Sequence, residues 1–256
     1  ASLIKDVQTK WIPYDFKNQN IDDFLENLDI DKTVEISSIQ GGYSNAIKQL
    51  NKFIEVGYQD YAKYRSDPSK EASSQLSPYF HSGQISTHEV FDKISELESW
   101  SPESINPKMV GRREGWWGST ENFESFMDEL ITWRELGYHT CVRRANYNQY
   151  SSLPEWAIKT LHEHSSDERE HIYSLDELTY SQTHDEIWNA AQNQLRTQGV
   201  IQNYLRMLWG KKILEWTPNP QIALSYMITL NDRYSLDGRD PNSYSGVFWI
   251  LGRYDR

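Results

Sequence analysis

The chain has 256 residues and a formal net charge of −11, with 37 Asp and Glu against 26 Lys and Arg. That balance lacks the basic footprint of a small nucleic-acid-binding module, yet it leaves room for a local basic groove on an acidic body. A single cysteine, Cys141, excludes an intrachain disulfide and fits a reducing compartment.

No apolar run approaches the roughly 18 residues of a membrane span. The opening Ala1-Ser2-Leu3-Ile4-Lys5-Asp6 has no signal-peptide core. A cytoplasmic protein is the expectation. The 10 Trp, 16 Tyr and 8 Phe suit either a ring-built interior or the surroundings of an aromatic cofactor.

In chain order, residues 1–43 read as an irregular lead-in or linker, with Trp11-Ile12-Pro13 and the pair Gly41-Gly42. Residues 44–256 read as one helical domain. Ala46, Leu50, Phe53, Ile54 and Gly57 recur at spacings of three and four, and the pattern runs on towards Tyr61 and Tyr64. Asp67-Pro68 closes it, because a residue before proline disfavours the α region.

Further helices are predicted at about 86–99, 120–141, 154–164, 185–198, 201–216 and 219–230. Ser86 and Glu89 make a candidate capping box, and Thr217-Pro218 a candidate N-cap with proline at the first helical position. Leu236 to Gly246 reads as a long polar loop of the kind that often carries function. Alternating strand patterns are nearly lacking. The fold class is all-α.

Chemistry has few anchors. Trp209 and Trp216 are seven apart on one helix, and Trp188 lies on the preceding helix, folded back at Gly199. Three adjacent indoles could pass electrons in steps, or they could simply fill the core. Arg206 sits in an apolar run and needs an anionic partner if buried, for which Asp237 is a candidate; a solvent-facing arginine is the alternative. Glu135 follows Trp133-Arg134 among aromatics, where burial would raise its pKa; an ion pair with the neighbouring arginine is the other reading.

Arg112–Arg113, Arg143–Arg144, Lys211–Lys212 and Arg253 could line a basic groove or be ordinary surface charge. His162 and His164 diverge on a helix, and His184-Asp185 reads as a cap. Metal-ligand spacing, a phosphate loop and a nucleophile elbow are all missing, so no metal is expected.

Several segments then combine into a recognisable order. Leu76–Ser86 (LSPYFHSGQIS), Thr183–Gln192 (THDEIWNAAQ), Asn203–Trp216 (NYLRMLWGKKILEW), Leu230–Tyr234 (LNDRY) and Leu236–Asn242 (LDGRDPN) resemble, from about residue 40 onwards, the photolyase/cryptochrome family. Within that family they are closest to the class II photolyases of cyclobutane pyrimidine dimers.

The resemblance implies the helical FAD-binding domain, without the family's N-terminal α/β antenna domain. Tyr61, Arg65, Ser73, Ser74, Leu76 and Ser77 match positions that border the flavin or hold its phosphates. Arg206, Asp237 and Asn231 match an ion pair and an amide beside the isoalloxazine. Trp209, Trp188 and Trp216 match the chain that photoreduces FAD.

Glu135, Met207 and Trp249 match contacts to a flipped dimer. Asn203 and Met207 stand where (6-4) photolyases carry histidines, which favours the cyclobutane lesion. The implied partner is damaged DNA, acted on by a monomer, with an antenna domain or companion fragment supplied separately. A cryptochrome-like photoreceptor without repair is the alternative. Two departures are Leu136-Gly137-Tyr138-His139-Thr140 after Glu135, and Ser82 in place of a family Phe.

Overall fold

The structure is a computed structural model that describes residues 20–112 and 114–255, so Trp11-Ile12-Pro13 and Arg113 lie outside the described residues. The chain divides into two compact units, Ala1–Glu35 and Ile36–Arg256. In the first, helix α1 (Ile21–Glu26) starts at Asn20, whose side chain accepts the Asp22 N–H at 3.0 Å. A helix thus lies within the segment expected to be irregular, nucleated by an ordinary Asn cap.

The second unit is built from helices alone among the described residues. Helix α2 (Tyr43–Lys52) buries Ala46 and Leu50 as their spacing predicts. The rod then widens into a π turn at Phe53–Gly57, tightens at Tyr58–Asp60 and ends as α3 (Tyr61–Tyr64). After α4 (Ser77–His81), helix α5 (Thr87–Leu97) begins at Ser86, whose hydroxyl accepts the Glu89 N–H at 3.0 Å. The Glu89 carboxylate does not complete the capping box; it accepts the Tyr43 hydroxyl instead.

Helix α6 (Glu121–Met127), a second π turn (Asp128–Trp133) and α7 (Arg134–Arg143) form one continuous rod. Phe53, Tyr58, Tyr61, Phe123, Phe126 and Met127 meet in one apolar core, with Phe126 edge-on to Tyr61 at 5.2 Å.

Gly118 closes the loop before α6. Its φ is +63°, and a Cβ there would lie 2.0 Å from the Ser104 carbonyl oxygen. Both the left-handed backbone and the contact demand glycine. Gly118→Ala is therefore expected to destabilise the protein by roughly 2 kcal/mol or more, read from the urea midpoint.

Helices α8 (Glu155–Glu163) and α9 (Leu175–Thr179) precede the last quarter of the chain. There α10 (Glu186–Gln198) ends on Gly199, left-handed at φ 75°, and α11 (Asn203–Glu215) returns beside it. Helix α12 (Pro220–Tyr234) is capped by Asn219, not Thr217, whose hydroxyl instead donates back to the Ile213 carbonyl at 2.8 Å.

The polar stretch expected as one long loop is also corrected. Asp240 caps α13 (Pro241–Ile250) by accepting the Asn242 N–H at 2.9 Å, with Pro241 at the first position, so the loop is only 235–240. Helix α13 packs on α7, α11 and α12.

Candidate functional site

Helix α11 presents two different faces. Arg206 and Trp209, three apart, lie on neighbouring stretches of one side, while Asn203 and Met207, four apart, share another. Both Nη atoms of Arg206 reach Asp237 Oδ1 at 3.2 Å, and Nη2 lies 3.4 Å from the Ser235 hydroxyl. Arg206 is thus largely buried and paired, its side chain 15% exposed against 16% for Asp237. Burial alone would raise the Asp237 pKa. The Arg206 charge, with the hydroxyls of Ser235 and Ser77, outweighs it and holds the carboxyl below its usual value.

Earlier segments of the chain approach this region: Ser77, 160 residues before Asp237, is close enough for its hydroxyl to help hold the Asp237 carboxylate, and the Gln202 amide at the start of α11 donates to the Arg65 carbonyl at 2.7 Å. The Arg65 guanidinium itself is paired with Glu129 on the second π turn. Tyr61 is buried, and that burial pushes its phenol pKa up. Leu76 is buried, and Ser73 and Ser74 are half-buried. Asn231 on α12 is 1% exposed, six residues before Asp237.

The three tryptophans are all buried and in contact. The Trp188 and Trp209 rings are parallel, their planes 1° apart and centroids 6.4 Å apart. Trp216 meets Trp188 edge-on at 5.6 Å. The order is therefore Trp209, Trp188, Trp216. Past Trp216 lie His184 at 5.2 Å and Tyr173 at 5.5 Å, themselves joined by a 2.7 Å hydrogen bond. Asp185 caps α10 by accepting the Trp188 N–H at 2.9 Å.

A second cluster gathers on α13. Trp249 lies 4.4 Å from Trp133, centroid to centroid, and Gly246 faces the Met207 methyl. Gly137 lets α7 approach, since a Cβ there would sit 2.8 Å from Asn242 Oδ1. One departure from the family pattern thus has a packing reason. Glu135 is corrected from a desolvated carboxyl: its side chain is 67% exposed and 3.4 Å from Arg134 Nη1. Asn203 is exposed at the start of α11.

Of the basic residues, Lys212 pairs with Glu215 at 2.9 Å, whereas Arg144 and Arg253 converge on Ser152. Sequence reasoning passed over Ser235 and Gln192, which bond to Asp237 and Trp209 respectively. Gln192 had one usable signal, its position four residues after Trp188 on the same helix face.

The fold is the helical one shared with photolyases of known structure. It superposes on a bacterial class III photolyase from Agrobacterium tumefaciens with a TM-score of 0.62 at 19% identity, covering 96% of this chain and 43% of that one. No protein-family model matches the chain.

Sequence similarity is closer. The chain is 39% identical over 235 residues to the deoxyribodipyrimidine photo-lyase of Methanothermobacter thermautotrophicus, spanning 92% of this chain and 48% of that relative. It is 37% identical over 231 residues to that of Potorous tridactylus, with 90% and 40% covered. It belongs to the photolyase/cryptochrome family and spans about half the length of the curated relatives it matches or less. Among the described residues no helix is long and apolar enough to cross a membrane.

Proposed function

We propose that the chain holds FAD and uses light to repair cyclobutane pyrimidine dimers in DNA, as a class II-like photolyase. The observation that carries the reading is on α11. One side of this helix holds a buried cation with its counter-ion, and one turn later it opens a path of three touching indoles.

The residues suit a flavin. Arg206 Nε is buried and finds no partner among the described residues, while both Nη atoms are engaged by Asp237. A donor is thus left for a ligand. Bound FAD would supply the light-driven electron transfer.

Around it, Arg206 provides a fixed positive charge, which in a low-dielectric pocket is worth far more to an anionic ring than it is in water. Asp237 keeps that cation in place. Asn231 offers a buried amide. Tyr61 and Arg65 would border the flavin, and Ser73, Ser74, Leu76 and Ser77 would hold its phosphates. Trp209, Trp188 and Trp216 return electrons from the surface. Glu135, Asn203, Met207 and Trp249 receive the dimer once it is turned out of the duplex.

A second reading, a blue-light sensor that keeps the path and repairs nothing, draws on the outward-facing Glu135. Illumination of the purified protein with reduced FAD and an oligonucleotide carrying one cyclobutane thymine dimer separates the two. Loss of the dimer is the expected result. An intact dimer beside a bound, photoreducible flavin favours the sensor, and failure to bind flavin overturns both.

A further inference from the structure

Helix α10 grips Trp209 twice. The Gln192 side-chain oxygen accepts the Trp209 indole N–H at 2.8 Å, and the Trp209 backbone carbonyl accepts the Trp188 indole N–H at 3.0 Å. An indole N–H only donates, so chemistry fixes which end of the Gln192 amide faces it. Gln192 is 0% exposed, and its Nε2 finds no partner among the described residues. That unpaired buried donor costs about 1–3 kcal/mol, and a methionine of similar volume would avoid it only by leaving the buried Trp209 indole N–H unpaired instead. Stability therefore does not favour either residue at this position. What glutamine brings is a strong acceptor that is not a base.

We propose that Gln192 is a positioning residue of the electron path: it holds Trp209 parallel to Trp188 and keeps the proton on Trp209 while that ring is oxidised. This rests on the reading of the three tryptophans as a path. In the step concerned, Trp209 would give one electron to a bound, light-excited flavin, the indole being oxidised as the flavin is reduced. Trp188 then refills Trp209, and Trp216 refills Trp188. No bond breaks.

An oxidised indole is far more acidic at its N–H than a neutral one. The acceptors at the two inner rings are an amide oxygen and a peptide carbonyl, neither of which takes a proton at neutral pH. The inner oxidised rings therefore stay protonated and can be refilled at once. At Trp216 the surroundings change, since the His184 ring lies 5.2 Å away. Outward transfer is favoured by the absence of a proton trap at the start of the path.

The test uses the flavin-loaded chain and three variants. Gln192→Met removes the acceptor at similar volume. It is expected to keep its flavin and helicity, to lose slow hydrogen exchange at the Trp209 indole N–H, and to slow photoreduction about tenfold or more, the worth of a charge-assisted hydrogen bond. Gln192→Glu supplies a base, and the radical trapped after a flash is expected, by electron paramagnetic resonance, to be a deprotonated indole at Trp209.

Photoreduction at the wild-type rate in Gln192→Met overturns the proposal, as does a protonated radical in Gln192→Glu at alkaline pH. The second holds even where the methionine variant does not fold. Trp209→Phe is the control: if it too photoreduces normally, the path itself is wrong rather than the role of Gln192.

Discussion

Trp209→Phe is expected to leave flavin bound and to abolish its photoreduction. The geometry makes this substitution unusually clean. The Trp188 indole is anchored on the backbone carbonyl of residue 209, not on its side chain, so the second ring keeps its place in the variant. Arg206 and Asp237, one turn away, are untouched. What is lost is an oxidisable ring and the 2.8 Å bond to Gln192. Phenylalanine is far harder to oxidise, and the next indole lies a full ring beyond it.

The smaller ring and the unmatched Gln192 oxygen should cost about 1–3 kcal/mol of stability, visible in the denaturation midpoint. Photoreduction is followed by the loss of oxidised-flavin absorbance under blue light with an external thiol donor. A wild-type rate would remove Trp209 from the path.

The helices were legible because their apolar spacing is a direct record of which face is buried. Ala46, Leu50 and Phe53 are each at most 2% exposed, as a 3.6-residue period requires. Ends were less legible. Thr217-Pro218 and Asn219-Pro220 carry the same local signal, a cap followed by proline. Only the Thr217 hydroxyl turning back to Ile213 assigns it to the end of α11.

The stretch from Asp240 to Gly246 looked like loop because it is polar. Yet Ser243 and Ser245 are buried, with hydroxyls bonded to the Asp237 carbonyl and to Tyr254. Polar residues satisfied in this way sit inside a helix without leaving an apolar signature. The two π turns have no residue type of their own and could not be read at all.

In the site, charge in an apolar run left Arg206 open between a buried pair and a solvent-facing side chain, and the structure has the pair with Asp237. Glu135 was open between a desolvated carboxyl and an ion pair with a neighbouring arginine, and its outward-facing carboxyl beside Arg134 is the second. Neutral hydrogen-bonding residues such as Gln192 and Ser235 leave no imbalance to notice.

The Arg206–Asp237 pair should show which of its features serve stability and which serve a ligand. Asp237→Asn keeps the shape and removes the charge, leaving Arg206 without a counter-ion. A fully buried pair broken on one side loses about 3–5 kcal/mol. With each side chain about one-seventh exposed, about 2–4 kcal/mol is expected here.

The pH dependence has a definite sign. Because the folded protein holds the Asp237 pKa below its usual value, the carboxylate contributes stability above the ordinary aspartate range, near pH 3.9. That contribution is lost as pH falls through the depressed folded value. The stability difference between wild type and Asp237→Asn, measured by urea titration at a series of pH values, should therefore be constant from pH 7 to about 5 and shrink in acid. A difference that grew in acid would contradict the assignment.

A double change of Arg206→Met with Asp237→Leu replaces the whole pair with apolar bulk, and such replacements are often neutral or stabilising. It should restore stability to within about 1 kcal/mol of wild type. It should not restore flavin binding, because no hydrophobic pair can offer the Arg206 Nε–H or its charge. Recovery of stability without recovery of flavin would assign the pair to the ligand, since the fold can then do without it.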